Sequence, residues 1–253
     1  MRSGPYLWIS VGATVALIAT GCAATTSEEP TDVVVSAAAS LSDAFSDIET
    51  AFESAHPEFD VLLNLAGSAA LREQILEGAP ADVFASANPE VMADVVEAGG
   101  VDGSPHVFAA NTMVMAVPGG NPGGVIGLGD FEREALFVGL CAQSVPCGSL
   151  ARQVLLDANV EPSVDTNEPD VRALLLKIGL AEIDLGMVYV TDAVAAASTV
   201  DAIPVPPQNA VSTLYPIARL VAAPNPDGGD AFIRFVVSDQ GAEILEGHGF
   251  VIP

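Results

Sequence analysis

Short β-branched runs and helix-spaced apolar residues alternate along this chain. Residues 32–36 and 61–65 are short aliphatic runs, which predict strands. Between them, residues 41–55 repeat apolar side chains at intervals of three and four, which predicts an amphipathic helix. Strands that alternate with helices of this length indicate right-handed βαβ units and a parallel sheet. The same patterns predict strands at residues 82–86, 136–140 and 185–190, and helices at residues 68–76, 89–98, 148–158, 171–178, 191–197, 230–237 and 240–246.

Two longer strand-like runs, at residues 106–117 and 213–222, stand apart from this alternation. Long strands that leave one lobe and enter another form a natural hinge. We therefore predict an α/β protein of two lobes joined by two crossing strands. Residues 32–111 and 216–253 would form the first lobe, and residues 112–215 the second.

The first 21 residues have the pattern of an export signal, with Arg2 as the only early charge before a mostly apolar stretch. That stretch is short for a transmembrane helix. Residues 19–22 (ATGC) look like a bacterial lipoprotein box, which would make Cys22 the lipidated first residue of the mature chain. An ordinary signal peptide is the alternative. Residues 22–31 follow as a linker.

Charge restricts the class of partner. The chain has 33 acidic and 8 basic residues, a formal net charge of −25. Nucleic acid requires a basic face, so we predict no nucleic-acid partner. Any anionic ligand must be held by local dipoles against an unfavourable long-range field. Two later cysteines and three scattered histidines have no zinc-site spacing, so no metal cation site is predicted.

Three turns stand where a predicted strand meets a predicted helix. They are residues 39–43 (ASLSD), 66–70 (AGSAA) and 145–149 (VPCGS). A helix start carries unpaired N–H groups and the positive end of the helix dipole, so it can hold an anion without a charged side chain. Three such starts can converge on one small oxyanion. The alternative for Ser40 and Ser68 is an ordinary N-cap, with Asp43 completing a capping box at Ser40.

Cys141 and Cys147 lie six positions apart. In an exported protein this spacing favours a disulfide, and two free core cysteines are the alternative. A redox role is disfavoured because the chain has no C-x-x-C motif.

Six segments of the chain share their sequence with one family. They are residues 35–41 (VSAAASL), 71–75 (LREQI), 78–87 (GAPADVFASA), 170–172 (DVR), 185–193 (LGMVYVTDA) and 215–218 (YPIA). In these segments the chain resembles the molybdate-binding proteins of bacterial ABC importers. The resemblance runs in order over nearly all of residues 32–253.

The resemblance implies a two-lobed periplasmic-binding-protein fold of type II, with two crossover hinge strands. It implies a binding protein that is not an enzyme, needs no cofactor, and closes on molybdate or tungstate. It further implies delivery of the ion to an ABC permease in the membrane. We expect a monomer that is exported and anchored by lipid to the outer face of the cytoplasmic membrane.

The resemblance also implies a ligand set of hydroxyls and backbone amides. Ser40 and Ser68 would contribute hydroxyl and N–H groups, Cys147 and Val171 would contribute N–H groups, and Tyr189 would contribute its hydroxyl. Another oxyanion, such as sulfate, is the main alternative ligand. A serine hydrolase is a remote alternative, because the chain has no G-x-S-x-G elbow.

Overall fold

The computed structural model describes residues 30–253, together with Met1 and Gly4. The predicted lipidation site Cys22, most of the export signal and most of the linker lie outside the described residues. None of the helices in the described part of the chain has the length and hydrophobicity that a bilayer span requires.

Strands and helices alternate through most of the described chain. In chain order, the elements are β1 (Thr31–Ala38), α1 (Ser42–Ala55), β2 (Phe59–Ala66), α2 (Ser68–Leu76), β3 (Val83–Ala85), α3 (Pro89–Glu97), β4 (His106–Pro118), β5 (Val138–Cys141), α4 (Pro146–Asp157), β6 (Thr166–Glu168), α5 (Val171–Gly179), β7 (Leu185–Tyr189), α6 (Val190–Ala195), β8 (Val200–Pro204), β9 (Ser212–Arg219), α7 (Pro226–Val236) and α8 (Asp239–Gly247).

Each lobe contains the parallel strand pairs that βαβ units require. In the first lobe, β1 pairs in parallel with β2 and β3. In the second lobe, β5 pairs in parallel with β6 and β7. Parallel neighbours need a crossover connection, and the intervening helices supply it. The carboxyl ends of these strands, and the helix starts that follow them, therefore lie on one side of each sheet.

Strand β4 joins the two sheets. Its first half, as far as Thr112, pairs antiparallel with β9. From Met113 onward it pairs antiparallel with β7 and β8 of the second lobe. The chain later comes back through β9, which lies between β4 and β3. This confirms the predicted two-lobed architecture with crossover strands, whereas the division of residues between the lobes stays a prediction.

Buried phenylalanines fix α1 on the first lobe. Phe45 and Phe52 lie two helical turns apart, so they share one face of the helix. Both rings contact Phe232 of α7 edge-on, with ring centroids 5.8 and 5.4 Å apart. Burial of such a side chain stabilises the fold by about 1.5–3 kcal/mol. This packing also fixes the position of the turn that precedes α1.

Two short strands have no counterpart in the sequence prediction. Strand β6 has the polar sequence TNE, which carries no apolar signal. Strand β8 ends at Pro204. Proline is a residue that argues against a strand, because sheets tolerate it only at edges or strand ends. Both strands form because tertiary pairing with β5 or β4 outweighs their weak local preference.

Candidate functional site

The three predicted turns meet at one cavity between the lobes. The first lobe contributes Ala38, Ala39, Ser40, Gly67, Ser68 and Ala87, and the second contributes Val145, Pro146, Cys147, Asp170, Val171 and Tyr189. The cavity has a volume of about 20 Å³, and about 10–15 Å³ suffices for one water molecule. The structure therefore brings all five predicted site residues together around a space for a small ligand.

The serine hydroxyls on the first-lobe side do not cap their own helices. Ser40 lies in a 3-10 turn, Ala39–Leu41, and α1 begins two residues later without a side-chain cap. Ser68 is the first residue of α2, whose N-cap position is Gly67. The predicted N-caps at Ser40 and Ser68, and the capping box with Asp43, are therefore wrong. Neither serine occupies the N-cap position of its helix, which leaves its hydroxyl for other partners.

Both serine hydroxyls bond to groups outside their own helices. Ser40 Oγ lies 3.0 Å from the hydroxyl of Tyr215. Ser68 Oγ accepts a hydrogen bond from the N–H of Ala87 at 3.0 Å. A serine hydroxyl has one proton to donate and two lone pairs. Ser68 therefore keeps its proton available for a further acceptor.

Helix starts supply amide donors from both lobes. The N–H groups of Ser68, Cys147 and Val171 donate to no acceptor within residues 30–253. Each lies in the first turn of α2, α4 or α5, where no intrahelical acceptor exists. The dipoles of these helices add positive potential at the same place. The cavity therefore presents unused N–H donors and a favourable potential to an anion.

Tyr189 adds a hydroxyl with no partner. Its side chain is 1% exposed, and its oxygen has no hydrogen bond to any residue that the structure describes. Burial raises the pKa of Tyr189 well above its usual value, so the phenol stays protonated. An unpaired buried hydroxyl costs about 1–3 kcal/mol. An acceptor on a ligand would remove this cost.

A disulfide ties down the turn before α4. Cys141 at the end of β5 is joined to Cys147 in the first turn of α4. Gly148 lies so close to this turn that a Cβ there would be 1.9 Å from the carbonyl oxygen of Ala142. Glycine is therefore required for the close packing that, together with the disulfide, holds the N–H of Cys147 in place.

The residues around the cavity include no lysine, arginine or histidine. Asp170 is the one acidic lining residue, and its side chain accepts a hydrogen bond from the N–H of Ala173 at 2.9 Å. This carboxylate therefore caps α5. Positive potential in the cavity wall therefore comes from backbone dipoles and not from a cationic side chain.

Three nearby arginines are engaged elsewhere. Arg72 pairs with Glu73 and Asp94, and Arg152 donates to the carbonyl oxygen of Cys141 at 2.8 Å. Arg172 of α5 pairs with Asp43 of α1 and thereby joins the two lobes.

Asp192 is buried beside this ion pair. Its carboxylate lies 3.1 Å from Nε of Arg172 and is fully buried, and neither oxygen has a hydrogen bond within the described chain. Burial raises the pKa of Asp192 to about 7, although Arg172 acts in the opposite direction.

Among residues 30–253, no cluster of three or more histidine, cysteine or acidic side chains could hold a metal ion.

The lobes contact each other closely at Gly67. A Cβ at this position would lie 2.8 Å from the carbonyl oxygen of Pro169 in the second lobe. No individual role was predicted for Gly67, Tyr215 or Ala87 from the sequence. Tyr215 belongs to the YPIA segment that resembles the family, but a hydrogen bond between residues 175 positions apart cannot be predicted from local sequence.

Comparisons with known proteins place the chain in a family. It is 34% identical to the molybdate-binding protein ModA of Mycobacterium tuberculosis (strain H37Rv) over 98% of this chain and 99% of that protein. The sulfate-binding protein SubI from the same organism has a similar structure, with a TM-score of 0.79, 18% identity and coverage of 88% of this chain and 87% of SubI. The periplasmic molybdate-binding protein of Azotobacter vinelandii has a TM-score of 0.73 at 18% identity, covering 87% of this chain and 99% of that one. At such identities these two structures show the fold alone.

The family model of bacterial extracellular solute-binding proteins matches residues 33–251. This match spans both lobes and every element that contributes to the cavity. The chain therefore belongs to the bacterial extracellular solute-binding proteins.

Proposed function

We propose that this protein captures molybdate outside the cytoplasm and delivers it to an ABC permease in the membrane. The observation that carries the proposal is the interlobe cavity, whose unused donors are uncharged and come from both lobes. The 34% identity to ModA over nearly the whole chain supports the choice of ligand. The protein is a binding protein and not an enzyme, as its family indicates.

The donors suit a tetrahedral dianion. Molybdate offers four acceptor oxygens and no donor. Hydroxyls of Ser40, Ser68 and Tyr189, with amides of Cys147 and Val171, would surround it. Hydrogen bonds to a charged group contribute about 1.5–3 kcal/mol each. Together they can offset the hydration that the ion loses on entering a dry site.

Sulfate is the alternative ligand. It is also a fully deprotonated dianion, and the same uncharged donors suit it equally well. Discrimination between the two must come from size, because molybdate is the larger ion. Tungstate shares the charge and shape of molybdate, and we infer that it binds as well.

Closure of the lobes would bury the ion, and contact with the permease would favour reopening. The interlobe contact at Gly67 and the ion pair between Arg172 and Asp43 support this motion. The two lobes would comprise residues 32–111 with 216–253, and residues 112–215, a division that the change of β4 partners after Thr112 supports. We further infer that the protein acts as a monomer, anchored through lipidated Cys22 to the outer face of the cytoplasmic membrane.

Calorimetric titration with molybdate, tungstate, sulfate and phosphate tests this function. We expect dissociation constants below about 1 μM for molybdate and tungstate, which corresponds to roughly 8 kcal/mol. Sulfate should bind at least about a hundredfold more weakly. Sulfate that binds as tightly as molybdate would establish the alternative, and a protein that binds none of the four anions would refute both.

A further inference from the structure

Unpaired polar atoms are concentrated at one place beside the cavity. In the part of the chain that the structure describes, the buried side-chain atoms without a hydrogen bond are Nε of Arg172, the hydroxyl of Tyr189 and both oxygens of Asp192. Tyr189 lines the cavity, and Arg172 follows the cavity residue Val171 in the chain. The proposed function uses the hydroxyl of Tyr189 but gives no role to the carboxyl of Asp192.

Asp192 is poorly stabilised as an anion. Its side chain is fully buried, and Nε of Arg172 lies 3.1 Å from Oδ1 without the alignment of a hydrogen bond. A buried ion pair offsets its desolvation only when hydrogen bonds satisfy the remaining groups. Burial raises the pKa of Asp192 to about 7, so the carboxyl can exchange its proton near neutral pH.

Arg172 lies between two carboxylates that belong to different lobes. It pairs with Asp192 of its own lobe and with Asp43 of the first lobe. Of the charged side chains around Asp192, Arg172 favours the ionised carboxyl, whereas Asp43 and Asp170 favour the neutral one. When Asp192 is neutral, Arg172 keeps Asp43 as its charged partner, across the interface between the lobes.

The other titratable groups near Asp192 carry no positive charge. Tyr189 and Tyr215 are fully buried phenols, and burial raises the pKa of each well above its usual value. Strand β8 also packs against α6, and its Asp201 is exposed to solvent. Arg172 is therefore the one cation that opposes protonation of Asp192 in these surroundings.

We propose that this protein takes up a proton at Asp192 when it captures a divalent oxyanion, so that the ion and the proton are bound together. The inference rests on the proposed function, since it concerns the same anion. A dianion against Tyr189 and Val171 would repel a negative charge on Asp192, which lies in the first turn of α6, directly after Tyr189. Binding of the ion therefore favours the neutral carboxyl, and by linkage the neutral carboxyl favours binding of the ion.

Molybdate affinity should consequently be highest in mild acid. Below about pH 6, Asp192 is neutral with or without the ion, so binding takes up no proton. As the pH rises through about 7, the free protein loses this proton and must regain it on binding, so the affinity falls.

Calorimetric titration with molybdate in buffers of different ionisation enthalpy measures the number of protons taken up per ion. For the parent protein we expect roughly 0.5–1 proton at about pH 8 and close to none at about pH 6. The affinity should fall about tenfold between about pH 6 and pH 9, within the limit of tenfold per pH unit that one proton sets.

The variant Asp192→Asn carries a permanently neutral side chain of the same shape. It should take up no proton at either pH, and at about pH 9 it should bind molybdate about tenfold more tightly than the parent. Structural damage would weaken binding instead. The control is Asp94→Asn, which removes a carboxylate paired with Arg72 and should keep the proton uptake of the parent.

Molybdate binding by the parent without proton uptake at about pH 8 would overturn the inference, as would equal uptake by Asp192→Asn. If Asp192→Asn fails to fold, the infrared difference spectrum of the parent decides. Binding at about pH 8 should add the C=O band of a protonated carboxyl, and a spectrum without this band overturns the inference. A parent protein that binds no oxyanion would refute the proposed function and this inference together, whereas binding without proton uptake refutes the inference alone.

Discussion

At the scale of single residues, the site consists of hydrogen-bonding capacity that the protein itself leaves unused. Tyr189 is the clearest case, because its hydroxyl is buried without a partner in the described structure. Tyr215, whose ring lies 6.0 Å away, differs in that its hydroxyl is bonded to Ser40. The two tyrosines thus allow a direct comparison between a hydroxyl kept for the ligand and one used by the fold.

Replacement of Tyr189 by Phe should separate binding from stability. Molybdate affinity should fall by about 1.5–3 kcal/mol, the value of a hydrogen bond to a charged group. The free energy of unfolding of the ligand-free protein should stay the same or rise, because no internal bond is lost. Calorimetry and denaturant unfolding measure the two effects. Tyr215→Phe, which does lose an internal bond, is the matched control. A loss of stability in Tyr189→Phe without a loss of affinity would contradict the assignment.

Asp192 is the opposite kind of residue, a buried acceptor without hydrogen bonds. Its pKa is raised from 3.8 to about 7 in the folded protein. The folded state therefore binds the proton more tightly than the unfolded state. The resulting stabilisation is complete below about pH 4 and is lost as the pH rises through about 7.

The variant Asp192→Asn should remove this pH dependence. The difference in free energy of unfolding, variant minus parent, should increase by roughly 2–4 kcal/mol between about pH 4 and pH 8. This follows because one pKa unit corresponds to about 1.4 kcal/mol. Denaturant titrations across this range measure the difference. Parallel profiles for the two proteins would show that Asp192 keeps an ordinary pKa.

At the scale of elements, regular hydrophobic periodicity made the main helices and strands predictable. Helix α1 and strand β4 match their predicted ranges to within one residue at each end. The polar strand β6 and the proline-terminated β8 could not be predicted, because their partners, not their own sequences, make them strands.

The site was predictable to a different degree at each position. Turn chemistry alone indicated Ser40 and Ser68, although it wrongly made them N-caps. Val171 and Tyr189 look like ordinary core residues and were indicated only by the family resemblance. The hydrogen bond between Tyr215 and Ser40 joins β9 to the turn after β1, a contact that no local pattern encodes.

The disulfide between Cys141 and Cys147 holds the turn between β5 and α4 in place. Replacing both Cys141 and Cys147 by Ser should lower the free energy of unfolding by about 2–3 kcal/mol, the value expected for a short closed loop. Molybdate affinity should also fall, because the N–H of Cys147 is no longer held in place. Adding reductant to the parent protein should reproduce both effects and should leave the variant unchanged. Equal affinity with and without the disulfide would show that Gly148 and helix packing suffice to position this amide.

At the scale of the whole molecule, we propose that two lobes with a strongly negative net charge close around a negative ion. The proposed ligands are uncharged donors, while an ion pair between Arg172 and Asp43 joins the lobes outside the cavity. Because both partners are partly exposed, this pair should contribute only about 0.2–1 kcal/mol to closure.

The variant Asp43→Asn should therefore weaken molybdate binding about two- to fivefold, as measured by calorimetry. The matched control is Asp94→Asn, which breaks an ion pair with Arg72 inside the first lobe and removes the same charge. The control should bind molybdate at least as tightly as the parent, because a negative charge is lost without any effect on closure. Equal affinities for the two variants would show that the interlobe pair does not stabilise the closed form.

A crystal structure of the molybdate complex, with the metal located by its anomalous scattering, would show which groups hold the ion. We predict the ion between the lobes, with its oxygens about 2.7–3.1 Å from the hydroxyls of Ser40, Ser68 and Tyr189 and from the amides of Cys147 and Val171. A lysine or arginine side chain bound to the ion, or an ion bound outside this cavity, would contradict it.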